Sequence, residues 1–236
     1  MSIADLDIVV LAGGLGTRLR DVLPETPKIL APVGDRPFLG HLLHWLIRQG
    51  ARRVVLSLGY RAEDVLTYLE THSFAPLQIH PLVEPEPLGT GGAVAFTLPF
   101  IHSDPVLVIN GDTFVDANLN TFVRHYRDCG ADASIVCAEV ENTGRYGRIE
   151  IDAAGHVHRF AEKDPARSGP AWINAGIYLF GPRVLEKIAA LKKGSLERGI
   201  LEQMPSGSIA AFRTQGRFLD IGTPETLALA PEVLTA

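Results

Sequence analysis

The residues of this chain best suited to chemistry are three glycines with two nearby cations, and two aspartates at the ends of apolar runs. After Ile8, Val9, Val10 and Leu11 comes Ala12-Gly13-Gly14-Leu15-Gly16-Thr17-Arg18-Leu19, a glycine-rich turn with an arginine inside it. Gly13, Gly14 and Gly16 lack Cβ atoms, so they can take positive φ and aim successive N–H groups at an anion. Arg18 adds a planar fork of donors suited to phosphate oxygens. Thr26-Pro27-Lys28 supplies a second cation on a stiff connection. Together they predict binding of a nucleoside triphosphate or a sugar phosphate. A dinucleotide fingerprint would need a third glycine where Leu19 stands, and a P-loop needs a Gly-Lys-Ser/Thr triplet that the sequence lacks. A glycine-rich turn with no ligand would explain the glycines but not Arg18 and Lys28 beside them.

The aspartates extend this reading. Val106-Leu107-Val108-Ile109-Asn110-Gly111-Asp112 is an apolar run ending in a carboxylate, and Phe218-Leu219-Asp220-Ile221-Gly222 repeats the device. Ligands of open parallel sheets gather outside the carboxyl ends of the strands. Asp112 and Asp220 are therefore expected to clamp one hard divalent cation, Mg²⁺ where phosphates complete its shell. Either aspartate alone would read as a cap or turn residue. Glu84-Pro85-Glu86-Pro87-Leu88-Gly89-Thr90-Gly91-Gly92 is expected to form a second glycine-rich wall and to open a helix at Thr90. A buried carboxylate there, Glu84 or Glu86, could accept from the N1–H and exocyclic amine of guanine, which favours GTP; the other would be a solvated loop charge. Tyr146-Gly147, Glu162-Lys163 and Asn174 are candidates for sugar hydroxyls or the sugar phosphate. His41 and His44 share a helix, His156 and His158 a hairpin, and no histidine metal site is expected.

The positioning elements follow from periodicity. Strands are predicted at Ile8–Leu11, Arg53–Leu58, Leu77–Val83 and Val106–Asn110, alternating with helices as in βαβ units. Phe38, Leu39, Leu42, Leu43, Leu46 and Ile47 recur at helical spacing, with Pro37 at the first turn and Gly50 at the stop. Further helices are expected at Ala62–Glu70, Ala93–Leu98 and Leu119–Asp128, the last closed by Gly130. After a strand at Ala133–Val140 the pattern changes to a hairpin, Arg148–Ile151 and His156–Phe160, read as an antiparallel insertion. A strand at Trp172–Phe180, helices at Pro182–Leu191 and Leu196–Met204, and a strand at Ile209–Arg213 complete the reading. This is an α/β fold: a Rossmann-like, mostly parallel sheet flanked by helices. One domain is expected over residues 1–236, with its nucleotide part at about 1–140 and its sugar part at about 141–236.

Composition narrows the partners. A net charge of −5 argues against a sequence-independent nucleic-acid surface, which relies on excess Lys and Arg. Cys129 and Cys137 are too few for a disulfide framework and are not spaced for zinc. No apolar run is long enough to cross a bilayer. The first residues lack the basic start of a signal peptide, so the cytoplasm is the expected location. A homo-oligomer is compatible with this composition.

Taken in order, LAGGLGTRL, TPK, EPLGTGGA, NGD, YGRI, EK, NAGIYLF and FLDIGTPE resemble the sugar-1-phosphate nucleotidyltransferases over nearly the whole chain. LGTRLRDV, PKILAPVGDRPFL, INAGIYLF and FLDIG look most like the D-glycero-α-D-manno-heptose 1-phosphate guanylyltransferases. Many members have Pro-Leu where this chain has Arg20-Asp21, which shifts weight away from the thymidylyl branch. The resemblance implies that Gly13, Gly14, Thr17 and Arg18 hold the triphosphate, with Leu11, Ala12, Gly16 and Thr90 on the same nucleotide side. It implies that Lys28 bridges the reacting phosphates, that Asp112 and Asp220 carry Mg²⁺, and that Glu84 and Gly89 lie near the base. Gly147, Glu162, Lys163 and Asn174 match sugar-side positions, and Asn110 is grouped with them. The rival readings are a mannose-1-phosphate guanylyltransferase, an N-acetylmuramic acid 1-phosphate uridylyltransferase and a non-catalytic nucleotide-sugar sensor.

Overall fold

The computed structural model describes residues 1–19, 21–141, 146–161 and 169–234. Strand β1 (Asp7–Ala12) leads into the glycine loop, and Lys28 opens a single 3₁₀ turn, Lys28–Leu30. The short strands β2 (Pro32–Val33) and β3 (Arg36–Pro37) form a ribbon that feeds helix α1 (Phe38–Gln49). Next come β4 (Arg53–Leu58), α2 (Ala62–Thr71), β5 (Gln78–Val83), α3 (Gly89–Thr97), β6 (Val106–Asn110), β7 (Thr113–Val115) and α4 (Leu119–Cys129). The second half comprises β8 (Ala133–Val140), β9 (Arg148–Ile151), β10 (Val157–Ala161), β11 (Ala171–Phe180), α5 (Pro182–Ala189), α6 (Leu196–Gly199), β12 (Ile209–Thr214), β13 (Phe218–Asp220), α7 (Pro224–Ala228) and α8 (Ala230–Leu234).

Helix α1 forms where its apolar spacing predicts, burying Phe38, Leu39, Leu42, Leu43 and Leu46 against the sheet. Each fully buried side chain of this size contributes about 2 kcal/mol. Gly50 ends the helix at φ 93°, a left-handed conformation that glycine takes without a Cβ clash, and its N–H donates to Ile47. Strands β5, β4, β1 and β6 lie parallel, side by side in that order. β11 joins β6 antiparallel; its other edge pairs with β8, to which β12 adds in parallel. The β9–β10 hairpin is antiparallel and attaches to β11 at Ile173, so the insertion read from the sequence extends the main sheet.

Side chains alternate across the central strands, as the two-residue period of a strand requires. Ile8, Val10, Leu107 and Ile109 face a core shared with α1 and α4. Val9, Val106 and Val108 face a second core with Tyr178, Phe180 and Ile188. With both faces covered, the strand ends are left to shape a cleft.

Three expectations are corrected. Helix α3 starts at Gly89, earlier than the expected Ala93 and one residue before Thr90, and the Thr90 side chain does not cap it. The helix expected over Leu196–Met204 is α6 followed by a separate 3₁₀ turn, Leu201–Gln203, with Ile200 between them at non-helical φ and ψ. Asp220 does not end a strand of the main sheet: among the described residues β13 pairs only with β7, in its own antiparallel ribbon.

Candidate functional site

The β7–β13 ribbon builds the center of the site. Its register sets Asp220 opposite Thr113, next to Asp112, and the backbone N–H of Ile221 donates to the Asp112 carbonyl at 3.0 Å. Both carboxylates meet one ammonium: Lys28 Nζ lies 2.7 Å from Asp112 Oδ2 and 3.7 Å from Asp220 Oδ1. Asp112 keeps 42 % of its side chain exposed against 20 % for Asp220 and 15 % for Lys28, which makes it the member most open to an incoming ligand. Gly16 lies against this lysine; a Cβ there would sit 3.2 Å from the Lys28 Cβ. Among the described residues no group of three or more His, Cys, Asp or Glu side chains could enclose a metal ion. A cation at Asp112 and Asp220 would therefore draw the rest of its shell from phosphate and water oxygens, which suits a hard divalent ion.

Beside this trio opens a cavity of about 250 Å³ lined, among others, by Leu11, Ala12, Gly13, Gly14, Lys28, Glu84, Gly89, Thr90, Asn110 and Asp112. The structure thus gathers ten of the expected residues around one space. Gly111 donates its N–H to the Leu11 carbonyl at 2.8 Å, tying β6 to β1 at the cavity floor. The glycine loop behaves differently from expectation at two positions. Only Gly16 of its three glycines has positive φ. Gly13 is required instead by close approach, because a Cβ there would collide with the Glu84 carboxylate, whereas Gly14 faces open space.

Glu84 and Glu86 are now distinguished. Glu84 is buried; its Oε1 accepts from Ser57 Oγ at 2.9 Å and its Oε2 from the Leu88 N–H at 3.2 Å. Each oxygen keeps further acceptor capacity toward the cavity. Glu86 points outward, 3.6 Å from Lys193. Ser57 was not anticipated, although a serine inside the apolar strand Arg53–Leu58 is the kind of signal that marks a buried polar contact.

Gly91 and Gly92 do not form a ligand wall. They let α3 pack against the 192–196 segment, where Gly91 N–H donates to the Gly194 carbonyl at 2.9 Å and Cβ atoms at either glycine would crowd that segment. Thr90 is engaged there too, accepting from the Leu196 N–H and donating to Glu197. Gly89 still lines the cavity.

A second cavity, about 590 Å³, lies over β9 and β11 and is lined by Gly147 and Asn174 with Tyr146, Ser195 and Glu197 among others. Gly176, at φ 74°, marks the register shift of β11 between Asn174 and Tyr178 and lets Asn110 and Thr113 approach its backbone where a Cβ would clash. Tyr146 packs edge-on against Phe218 of β13, centroids 5.6 Å apart, linking this cavity to the strand that carries Asp220. Thr17 and Arg18 are exposed on a 3₁₀ turn, and neither lines the first cavity. Glu162 and Lys163 lie outside the described residues.

A family described as nucleotidyl transferase matches residues 7–235, nearly the whole chain. The chain belongs to this family. It is 34% identical over 221 residues to the D-glycero-alpha-D-manno-heptose 1-phosphate guanylyltransferase of Campylobacter jejuni, covering 93% of this chain and 96% of that one. The mannose-1-phosphate guanylyltransferase catalytic subunit beta of Drosophila melanogaster is 35% identical over 92% of this chain, which spans 59% of that longer protein. Among solved structures, HddC from Yersinia pseudotuberculosis superposes with a TM-score of 0.87 at 35% identity, covering 96% of this chain and 98% of that one; it has also been solved complexed with GMP-PN. The expected α/β architecture is therefore the fold of a nucleotidyl transferase. No helix among its described residues is long and apolar enough to cross a membrane.

Proposed function

We propose that this nucleotidyl transferase moves the guanylyl group of GTP onto a sugar 1-phosphate, releasing pyrophosphate, with D-glycero-α-D-manno-heptose 1-phosphate as the favoured acceptor and the cytoplasm as its place of action. The observation that carries the reading is the meeting of Asp112, Asp220 and Lys28, with Asp112 and Lys28 lining the glycine-lined cavity. The name of the Campylobacter relative supports guanine and heptose, and the GMP-PN bound in the Yersinia structure supports guanine. In this reading Leu11, Ala12, Gly13, Gly14, Gly16, Thr17 and Arg18 hold the nucleotide with Gly89 and Thr90, and Glu84 reads the base. Asn110, Gly147 and Asn174, with Glu162 and Lys163, take the sugar phosphate, and Asp112 and Asp220 hold Mg²⁺.

The chemistry needs no general base. A phosphate oxygen of the sugar phosphate is already anionic; it bonds to the α-phosphorus in line as the bond to the pyrophosphate oxygen breaks. The barrier is mostly repulsion between two anions and their alignment. Lys28 neutralises charge where they meet, Arg18 is free to close on phosphate, and Mg²⁺ would supply further charge compensation on the phosphates. Pyrophosphate release measured over the four NTPs and a panel of sugar 1-phosphates tests the assignment. Turnover is expected with GTP and the heptose substrate. Efficient turnover only with UTP or dTTP would overturn guanine, and preference for mannose 1-phosphate would favour the reading suggested by the Drosophila relative.

Two substitutions probe the base wall. Glu84→Gln keeps the shape of the side chain but turns one acceptor into a donor, and is expected to lower kcat/KM for GTP by about a hundredfold while changing that for other NTPs far less. Gly13→Ala forces the Glu84 carboxylate from its place. Because displacement of about 1 Å near a reacting centre costs on the order of 10²-fold, a comparable fall in kcat/KM is expected, with far-UV circular dichroism unchanged. Normal GTP kinetics in Gly13→Ala would remove Glu84 from base recognition.

A further inference from the structure

The Glu197 carboxylate is a hub that the transfer chemistry above does not use. Its Oε2 accepts from Ser195 Oγ at 2.7 Å and from Thr90 Oγ1 at 3.1 Å, and its Oε1 from the Tyr178 hydroxyl at 3.3 Å. Tyr178, fully buried in β11, in turn accepts from the Asn174 amide at 2.8 Å. Thr90 lines the first cavity, whereas Asn174 and Glu197 line the second. One carboxylate thus fixes Thr90 of the first cavity directly and Asn174 of the second through the Tyr178 hydroxyl. Burial, and then the Glu197 charge, push the Tyr178 phenol well above its usual range, so it remains a donor to Glu197 across ordinary pH.

We propose that Glu197 is a positioning residue that couples occupancy of the two cavities, so that a nucleotide ordering the Thr90 end lowers the cost of ordering the Asn174 end for a sugar phosphate. The physical basis is shared ordering: a network whose members are fixed by the first ligand does not have to be fixed again for the second. This rests on the assignment of the two cavities to nucleotide and sugar phosphate.

The experiment is calorimetric titration of mannose 1-phosphate and of the heptose 1-phosphate into the full chain, with and without a GTP analogue carrying a non-cleavable α,β-methylene bridge. In the wild type the analogue is expected to tighten sugar-phosphate binding by about tenfold, within the usual range of coupling between sites. In Glu197→Gln that factor should fall to near one while each ligand alone still binds. Thr90→Val and Tyr178→Phe, each breaking one arm, should lose it as well, and Thr90→Ser, which keeps the hydroxyl, should retain it. A merely structural Glu197 would change stability or both affinities without changing their ratio, which overturns the proposal. So would an unchanged factor in Thr90→Val and Tyr178→Phe, should Glu197→Gln fail to fold. If the wild type binds neither ligand, the functional assignment fails first and the coupling with it; if it binds both with no mutual effect, only the coupling fails.

Discussion

Asp112→Asn is expected to lower turnover by about 10³-fold, the scale on which losing a charge-stabilising group or metal ligand acts in phosphoryl transfer. The substitution keeps the size of the side chain and removes its charge. Asp112 is the more exposed of the two carboxylates and the one closest to Lys28, so it is the group an incoming cation would meet. The fold should survive: the Asp112 carbonyl still accepts from Ile221, and Lys28 keeps Asp220. Pyrophosphate release measured against Mg²⁺ concentration, with Mn²⁺ binding followed separately by paramagnetic resonance, would show lost turnover together with weakened metal binding. A variant with wild-type Mg²⁺ dependence would falsify the metal assignment.

Lys28→Met should also cost about 10²- to 10³-fold in turnover, by a different route. Methionine fills much of the same volume without the ammonium that lies between Asp112 and Asp220. Two like charges then face each other with no cation between them, an arrangement that favours any divalent ion able to replace it. The two variants should therefore separate: Lys28→Met binds Mn²⁺ at least as tightly as the wild type yet turns over slowly, whereas Asp112→Asn loses both. Loss of Mn²⁺ binding in Lys28→Met would mean that the lysine organises the carboxylates rather than compensating them.

How far the sequence could be read depended on the distance between the interacting parts. Helix α1 and strands β1, β4 and β6 were legible because their signals are local, an apolar period with a proline at the start or a glycine at the end. The approach of Asp112 and Asp220 to the glycine loop was legible as well, since each follows an apolar run and strand ends converge. The route was not: β7 and β13 have three residues each, too few for any period to register. Gly91 and Gly92 invited a ligand, yet they serve contact with residues 192–194, a partner that no local pattern announces. No local pattern announces Glu197 either. It sits in a four-residue helix, and its role is visible only once Thr90 and Tyr178 have been brought beside it. For Glu84 and Glu86 the choice lay in which side chain meets Ser57, and strand register rather than residue type decides that.

The small ribbon that joins β7 to β13 also orders events during synthesis. A ribosome delivers Asp112 with the first half of the polypeptide, but Asp220 emerges only after β8 to β12 have been translated. Strands β1, β4, β5 and β6 all precede β13 in the chain, so the acidic pair is completed only late in synthesis. If Asp112 and Asp220 act together as proposed, turnover would then require that translation has run past residue 220, and fragments released before that point would be inert.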